Sequence, residues 1–374
     1  MSDPVRAGRF AGAVLEGRQG AHRYEVRVGA GAAEALPALA GAYDRVAVVT
    51  CARALRSPPA AAAVERLRRK AEVAAVHLLP DGERGKTLAE LERSALKLLR
   101  AGATRRSVVV AVGGGAVTDA AGFLAATFMR GVDWIAVPTT LLAMVDAALG
   151  GKTAVNLPGA KNAVGAFHPP AAVLADPRAL GTLPARELRS GMGEVLKYAA
   201  LDPDLLGRVS ALGADAPDDA LVADCARAKL EVVERDPAEH GPRKLLNLGH
   251  TFGHGVEAAG EFSRYTHGEA VAIGLAFAFR LAARLGRVGP LAVAELETAV
   301  AAARLPLRVS PEVARRARAL MGYDKKRTAA GLRWVLPRAR GASWEVEWDV
   351  EADPAAVEGA LREISSLDRG GKRR

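Results

Sequence analysis

The chain has 374 residues, of which 50% are apolar and 25% are charged. This length and composition favour two folded domains with sizeable cores and exclude gross disorder. The formal net charge of +10 suggests a nucleic-acid partner, but basic residues are mixed with acidic ones everywhere except in the tail 368–374. We therefore expect no nucleic-acid partner and interpret the tail as a solvated end.

The cysteines and the apolar stretches indicate the compartment. Cys51 and Cys225 lie far apart and form no CxxC motif, which favours a reduced cytoplasmic protein over a disulfide-linked one. Residues 1–19 lack the apolar core of a signal peptide. The apolar stretch 270–279 ends at Arg280 and is too short to span a bilayer. We expect a soluble protein without a membrane partner.

Two patterns divide the chain. Short runs that are apolar on both faces are typical of strands in a parallel sheet covered by helices, and they occur at 45–50, 107–112 and 134–138. Long segments rich in alanine and leucine follow, which predict helices at 217–235, 268–286 and 311–321. The alternating segment 331–350 adds a strand or two. We predict a Rossmann-like α/β domain with a parallel sheet over 1–178 and a mostly α-helical domain over 179–374.

Glycine-rich turns follow two of the predicted strands. Gly113, Gly114 and Gly115 stand between a strand and a helix, where backbone N–H groups attract phosphate; a tight structural turn is the alternative. In the segment 137–156, Thr139 and Thr140 follow the next strand, and a second glycine turn presents Lys152. Two such turns at the ends of neighbouring parallel strands would form a crevice that binds a nucleotide.

Three of the seven histidines occur within residues 250–267. If 244–259 is a helix that starts near Pro242, four polar side chains at spacings of four, three and four share one of its faces: Arg243, Asn247, His250 and His254. Such a face is unfavourable in a hydrophobic core, because each polar group would need a buried hydrogen-bond partner. The pattern therefore favours a functional site.

Spacing alone leaves the metal ligands open. His250 and His254 form the i,i+4 pair of zinc-binding helices, although the glutamate usual beside the first histidine is absent. His267 is a second candidate partner for His250. Glu194 lies three residues before Lys197 in an otherwise apolar segment and offers a carboxylate, with a surface ion pair as the alternative. Two histidines and one glutamate would leave a fourth position open for water or substrate.

Further charged and amide side chains lie in loops or apolar segments. Glu83 and Lys86 share one loop and could be a solvated ion pair. The others are, singly, ordinary surface groups, but together they could hold a small molecule that carries a phosphate and a carboxylate: Arg130, Lys161, Asn162, Lys229, Arg243, Lys325 and Lys326.

Seven segments between Asp81 and Pro337 closely resemble the 3-dehydroquinate synthase family of sugar phosphate cyclases. They are GGGAVTDAAGFLAATFMRGV, VPTTLLAMVDAALGGKTAVN, AKNAVGAF, GMGEVLKYA, LLNLGHTFGHGVEA, THGEAVAIG and DKKRTAAGLRWVLP. The resemblance implies an NAD-binding α/β domain joined to a helical metal-binding domain, usually as a homodimer. Cys51 stands where the family usually has an acidic residue at the adenosine end of the cofactor.

Motif positions imply roles for individual residues. One divalent ion, zinc or cobalt, is implied to bind to Glu194, His250 and His267. NAD is implied to contact Glu83, Lys86, Gly114, Gly115, Asp119, Thr139 and Thr140. The substrate carboxylate is implied to bind Lys229 and Arg243. The phosphate is implied to meet Lys152, Asn162, Asn247, His254 and one of Lys325 and Lys326, with Arg130 from the neighbouring subunit. Further polar residues of the implied active site are Asp146, Lys161 and Lys197.

The implied reaction converts 3-deoxy-arabino-heptulosonate 7-phosphate to 3-dehydroquinate and phosphate, a carbon–oxygen lyase step of the shikimate pathway. It combines transient NAD-dependent oxidation, phosphate elimination, reduction and intramolecular aldol closure. The alternatives are another sugar phosphate cyclase that makes a cyclitol, and a metal-dependent alcohol dehydrogenase of the glycerol dehydrogenase type. Lys229 and Arg243 favour a carboxylate-bearing substrate, because both cations would otherwise lack a counter-charge.

Overall fold

The computed structural model describes residues 10–321, 327–328 and 331–365. The chain forms two compact units. The first comprises Met1–Leu183 with Asp218–Arg227, and the second comprises Pro184–Pro217 with Ala228–Arg374. The predicted boundary between an NAD-binding domain over 1–178 and a metal- and substrate-binding domain over 179–374 stays a prediction, because a compact unit does not by itself show what it binds. Lys325, Lys326 and the tail 368–374 lie outside the described residues.

The first unit is built on a parallel sheet. Its strands are β1 (Ala13–Gln19), β2 (His22–Val28), β3 (Val46–Cys51), β4 (Val73–Leu79), β5 (Val108–Gly113), β6 (Asp133–Pro138), β7 (Lys152–Leu157), β8 (Ala160–Phe167) and β9 (Ala172–Ala175). Seven of these described strands form one sheet in the order β1-β2-β9-β6-β5-β3-β4. β1 pairs antiparallel with β2, and the other neighbours are parallel. Strands β7 and β8 form a separate antiparallel hairpin.

Helices flank this sheet. They are α1 (Leu36–Ala40), α2 (Pro58–Lys70), α3 (Leu88–Arg100) and α4 (Gly115–Thr127). Val48 on β3 is aligned with Val110 on β5, which is aligned with Ile135 on β6. All three belong to a buried cluster that includes Val64 and Leu67 of α2. The three strands predicted from double-sided apolar runs are thereby confirmed.

The second unit is mostly helical. Its helices are α5 (Ala185–Leu201), α6 (Asp204–Leu212), α7 (Asp219–Arg235, whose first half belongs to the first unit), α8 (His250–Ala259), α9 (His267–Arg284), α10 (Pro290–Ala302), α11 (Pro311–Leu320) and α12 (Pro354–Ile364). Its strands are β10 (Arg327–Thr328), β11 (Gly331–Leu332), β12 (Trp334–Arg340) and β13 (Ser343–Val350). β12 and β13 pair antiparallel, so the strands predicted within 331–350 are confirmed. No helix of the described residues has the length and apolar character needed to cross a membrane.

The predicted helix over 244–259 is wrong. Pro242–Asn247 is a 3-10 helix, Leu248 is extended with ψ 128°, and Gly249 has a left-handed φ of 78° before α8 begins. A side chain at Gly249 would also meet the backbone oxygen of Val271 at 3.0 Å. The break separates the first two polar residues of the predicted face from the two histidines, so the four do not share one helix.

Lys161 and Asn162, which we expected to lie in a loop or an apolar segment, belong to the segment 159–170, and this segment is not a loop. Most of it is β8, which pairs with β7 through Val155 and Val164. Lys161 and Asn162 therefore lie on a hairpin strand, and Asn162 adopts a positive φ of 53°. This conformation bends the strand locally and is uncommon outside glycine.

Candidate active site

Glu194, His250 and His267 converge in the second unit. One carboxylate oxygen and one ring nitrogen from each histidine lie within 4.8 Å of one another. Glu194 Oε1 is 3.3 Å from His250 Nε2 and 3.0 Å from His267 Nε2. These side chains come from α5, α8 and α9, so three separate helices supply the donors. Within the described residues, His254 is not part of this group, although its ring centroid lies 5.3 Å from that of His250.

Glycines allow these helices to approach closely. A side chain at Gly268 would meet the backbone oxygen of Ser190 on α5 at 1.8 Å, and one at Gly193 would meet Gly268 itself at 2.4 Å. Neither contact is tolerated by a real Cβ atom. The backbones of α5 and α9 are therefore in contact beside Glu194 and His267, which fixes the separation of these two donors.

Burial and charge set the protonation of the group. Burial opposes the charge on Glu194, but Lys197, whose Nζ lies 2.5 Å from Glu194 Oε2, and His250 hold the pKa of this carboxyl well below its ordinary value. Burial lowers the pKa of His250 to about 4. Burial also acts to lower the pKa of His267, but hydrogen bonds with Glu194 and Glu257 raise it to about 10. The metal-free group thus holds a permanent carboxylate and a neutral His250.

Two buried cations lie in the same unit. Lys229 is 4% exposed and Arg243 is 0% exposed. Arg243 Nη1 donates to the backbone oxygen of Pro237 at 2.7 Å. Asn247 Nδ2 donates to Glu239 Oε1 at 3.0 Å. Buried cations need compensating anions or acceptors, and the oxygen of Pro237 is one such acceptor for Arg243.

Asp236 organises the loop that precedes Arg243. Its carboxylate accepts the backbone N–H groups of His240 at 3.0 Å, Gly241 at 2.7 Å and Arg243 at 3.1 Å. Burial acts to raise the pKa of Asp236, but these backbone donors outweigh it and lower the pKa below 3.8. The sequence analysis missed this residue; three backbone donors converging on one carboxylate can be seen only in the folded chain.

In the first unit, Lys86 joins separate segments of the chain. It is 3% exposed, and its Nζ donates to Asp119 Oδ2 on α4 and to Asn162 Oδ1 on β8. Asn156 Oδ1 accepts the backbone N–H of Asn162 at 2.9 Å, and Asn156 Nδ2 donates to Glu83 Oε2 at 2.6 Å. Glu83 and Lys86 are therefore bound to different partners in one network. Asn156 was missed, although it ends the second quoted glycine motif.

The first glycine turn and the threonine pair after β6 lie at the ends of adjacent strands, as predicted, whereas the second glycine turn leads into β7, outside the seven-stranded sheet. The backbone N–H of Thr139, after β6, donates to the oxygen of Gly113, at the end of β5, at 2.9 Å. A side chain at Gly114 would meet Thr140 Cγ2 at 2.8 Å, so the backbone of Gly114 lies directly against the side chain of Thr140. Gly115 begins α4, whose N-terminus no described side chain caps. Such a helix start attracts anions.

The remaining predicted residues of the first unit are Asp146, Lys152, Lys161 and Arg130. Asp146 belongs to a π-helical turn at Ala143–Ala147. Lys152 is exposed at the start of β7, Lys161 is partly buried on β8, and Arg130 is exposed with a left-handed φ of 70°. Their roles stay predictions. At the end of β3, burial raises the pKa of the Cys51 thiol, which lies beside Asp81.

Comparison with known families decides the relationship. A model of the 3-dehydroquinate synthase N-terminal part matches residues 76–190, and a model of its C-terminal part matches residues 191–327. The chain belongs to the 3-dehydroquinate synthase family. The 3-dehydroquinate synthase of Gloeobacter violaceus is 48% identical over 271 residues, which are 70% of this chain and 75% of that protein. The predicted family is confirmed.

Solved structures agree with this relationship. A crystal structure of 2-deoxy-scyllo-inosose synthase, complexed with carbaglucose-6-phosphate, NAD⁺ and Co²⁺, has a TM-score of 0.78 and 25% identity and covers 94% of this chain and 100% of its own. The 2-epi-5-epi-valiolone synthase of Streptomyces hygroscopicus subsp. jinggangensis, with NAD⁺ and Zn²⁺ bound, has a TM-score of 0.76 and 28% identity and covers 91% and 96%. The predicted fold class of the 3-dehydroquinate synthase family is confirmed.

Proposed function

We propose that this protein converts 3-deoxy-arabino-heptulosonate 7-phosphate to 3-dehydroquinate and inorganic phosphate. The observation that carries the proposal is the convergence of Glu194, His250 and His267 in a chain of the 3-dehydroquinate synthase family. The buried cations Lys229 and Arg243 in the same unit supply the charge that the substrate carboxylate requires.

The donor group fits a divalent metal ion. Tetrahedral zinc with bonds of about 2.0–2.1 Å places neighbouring donors roughly 3.3 Å apart, close to the observed 3.3 and 3.0 Å from Glu194 Oε1 to the two Nε2 atoms. His250 Nδ1 lies 3.1 Å from the oxygen of Leu248, which leaves Nε2 available. When bound, zinc or cobalt supplies a Lewis acid that acidifies a substrate hydroxyl and polarises a ketone. Three protein donors leave a coordination position for the substrate.

The first unit fits a dinucleotide. The glycine turn after β5, the start of α4 and the threonine pair after β6 lie at the ends of adjacent parallel strands, the place where doubly wound sheets bind nucleotides. Asp119, Lys86 and Glu83 lie in one hydrogen-bonded network, to which we assign the positioning of NAD together with Gly114, Gly115, Thr139 and Thr140. NAD supplies reversible hydride acceptance, and both solved relatives named above bind NAD⁺.

The protein's own side chains then hold the substrate. We assign the carboxylate to Lys229 and Arg243, because burial strengthens the attraction between opposite charges. Phosphate binding is assigned by motif position to Lys152, Asn162, Asn247 and His254, with Arg130 from a partner subunit and a lysine of the pair Lys325 and Lys326. Lys197 remains a cation beside Glu194, and together with Asp146 and Lys161 it completes the polar active-site set.

A cyclase that makes a cyclitol is the second candidate, because both solved structures described above are of that kind. The higher identity to 3-dehydroquinate synthase, 48%, and the two buried cations favour the heptulosonate. A dehydrogenase of the glycerol dehydrogenase type would accumulate NADH, whereas the proposed reaction returns NAD to its starting state.

We also propose a cytoplasmic homodimer. An apolar groove of about 360 Å³ in the first unit is lined by Leu88, Leu99, Phe128 and Met129 among others, and Arg130 follows directly. Leu88 and Leu99 are 44% and 51% exposed; exposed apolar patches of this kind mark interfaces. Both cysteines are free thiols, which suits a reducing compartment. Sedimentation as a monomer at micromolar concentration would contradict the dimer.

The test of the activity is incubation of metal-loaded protein with the heptulosonate phosphate and catalytic NAD. We expect equimolar phosphate and a product with the mass of 3-dehydroquinate, without net NADH. Glucose 6-phosphate, which has no carboxylate, serves as the alternative substrate and should give no phosphate. Turnover of glucose 6-phosphate alone would support the cyclitol candidate, and stoichiometric NADH would support the dehydrogenase.

A further inference from the structure

Glu257 is a buried carboxylate to which the proposed reaction assigns no role. It is 4% exposed and lies on α8, seven residues after His250. A buried carboxylate is costly unless a cation or hydrogen-bond donors compensate its charge. The identity of its partner therefore indicates what the residue does.

That partner is an imidazole of the candidate metal group. Glu257 Oε2 lies 3.3 Å from Nδ1 of His267, while the other ring nitrogen of His267 lies 3.0 Å from Glu194 Oε1. His250 differs, because its Nδ1 faces the neutral backbone oxygen of Leu248 at 3.1 Å. Of the two histidines, His267 is thus the one with a carboxylate on the ring nitrogen that points away from the donor group.

Local sequence sets this arrangement. His250, His254 and Glu257 are spaced by four and three on α8, so they follow one stripe of the helix. His267 is the first residue of α9, whose start is fixed by a capping box between Thr266 and Glu269. The capping box therefore fixes the backbone of His267, and Glu257 on α8 lies within reach of its ring.

A glycine keeps α8 and α9 close. A Cβ atom at Gly253 of α8 would meet the backbone oxygen of Ala270 of α9 at 2.9 Å. Since the helices cannot separate without opening this contact, Glu257 and His267 stay within hydrogen-bonding reach of each other. The close packing of the two backbones thus brings the side chains of Glu257 and His267 within reach of each other.

We infer that Glu257 is a positioning residue for the metal, an inference that rests on the proposed metal site. By accepting a hydrogen bond from Nδ1–H it fixes the tautomer of His267, so that the Nε2 lone pair is directed to the ion. Its negative charge also makes the imidazole a stronger donor. Carboxylates in this position typically change metal affinity by about 10–100-fold.

The test compares Co²⁺ affinity, measured by chelator competition and visible absorption, in wild type, Glu257→Gln and Glu257→Asp. Glutamine keeps an acceptor oxygen and removes the charge, so we expect about 10-fold weaker binding and partial rescue by aspartate. The matched control is Glu90→Gln, since Glu90 is another buried carboxylate, 3.5 Å from His77 Nε2 in the first unit. It should leave Co²⁺ affinity unchanged.

The outcomes separate the inference from the proposed function. Unchanged affinity in Glu257→Gln would overturn the inference while leaving the metal site intact. A lower unfolding temperature of the metal-free variant with wild-type affinity would also overturn it, because it would indicate a purely structural role. Absence of Co²⁺ binding by the wild type would remove the proposed metal site itself.

Discussion

Replacement of the buried Arg243 by methionine tests the assignment of the substrate carboxylate. The variant Arg243→Met keeps an unbranched side chain in a wholly buried position and removes the guanidinium. A hydrogen bond to a charged group contributes about 1.5–3 kcal/mol, and complete burial justifies the upper value. A loss of about 3 kcal/mol corresponds to a roughly 150-fold decrease in kcat/KM.

The assay measures phosphate release from the heptulosonate, together with NAD affinity by calorimetry and metal content. We expect the loss in kcat/KM without a change in the other two quantities, because Arg243 belongs to neither the metal group nor the network of Lys86. The control is Arg280→Met. Arg280 binds Glu297 at 2.6 Å and Glu363 at 3.0 Å in the same unit, so its loss should lower stability and spare kcat/KM. A decrease of less than threefold in Arg243→Met would refute the reasoning.

Three further predictions concern the metal group, the helix packing and the pH dependence. Glu194→Gln should abolish stoichiometric metal after dialysis and, by leaving Lys197 with a broken buried ion pair, lower the unfolding free energy by about 3–5 kcal/mol. Gly274→Ala should destabilise the protein by about 3 kcal/mol in calorimetry, since its Cβ would meet the oxygen of Gly249 at 1.8 Å. The lowered pKa of Asp236 stabilises the folded state above the unfolded pKa of about 3.8, and this stability is lost as the pH falls through the folded pKa. When the pH is lowered from about 5 to 3, the unfolding free energy of Asp236→Asn should therefore decrease less than that of wild type.

Each of these predictions has a control variant or a result that would contradict it. Gly207→Ala, in α6 with no atom within 4 Å of the new Cβ, should stabilise the protein by up to about 1 kcal/mol. Glu194→Gln that retains one metal ion per chain would contradict the ligand assignment. For Asp236, equal slopes of unfolding free energy against pH in wild type and variant would show that its carboxyl has an ordinary pKa.

The sheet could be predicted from the sequence because the residues of each strand show its burial within a short run. β3, β5 and β6 are mainly apolar on both faces, a pattern that is typical of buried parallel strands. The hairpin β7–β8 was not found, since it is partly exposed and lacks such a run. The prediction of a helix over 244–259 was wrong because the spacing of its polar residues does not reveal that Gly249 takes a left-handed φ.

The candidate site could be predicted from the sequence only in part. Spacing within one helix suggested His250 with His254, whereas the donors that converge come from three helices, and the distance between helices depends on packing that no local pattern encodes. The residues alone also offered His267 and Glu194 as candidates, and the resemblance to a family selected them. Asn156, Asp236 and Glu257 were missed because each acts through a contact with a residue distant in sequence or with the backbone.

One feature of the fold has a consequence for cofactor loading. Glu194, His250, His267 and Glu257 all belong to the second compact unit, and none of these side chains comes from the segment that carries the glycine turns. In the proposed site, affinity for the ion would therefore depend on helices of the second unit alone. We expect zinc or cobalt to bind to the protein in the absence of NAD. A shortage of NAD should leave metal occupancy unchanged, and a shortage of metal should leave NAD occupancy unchanged.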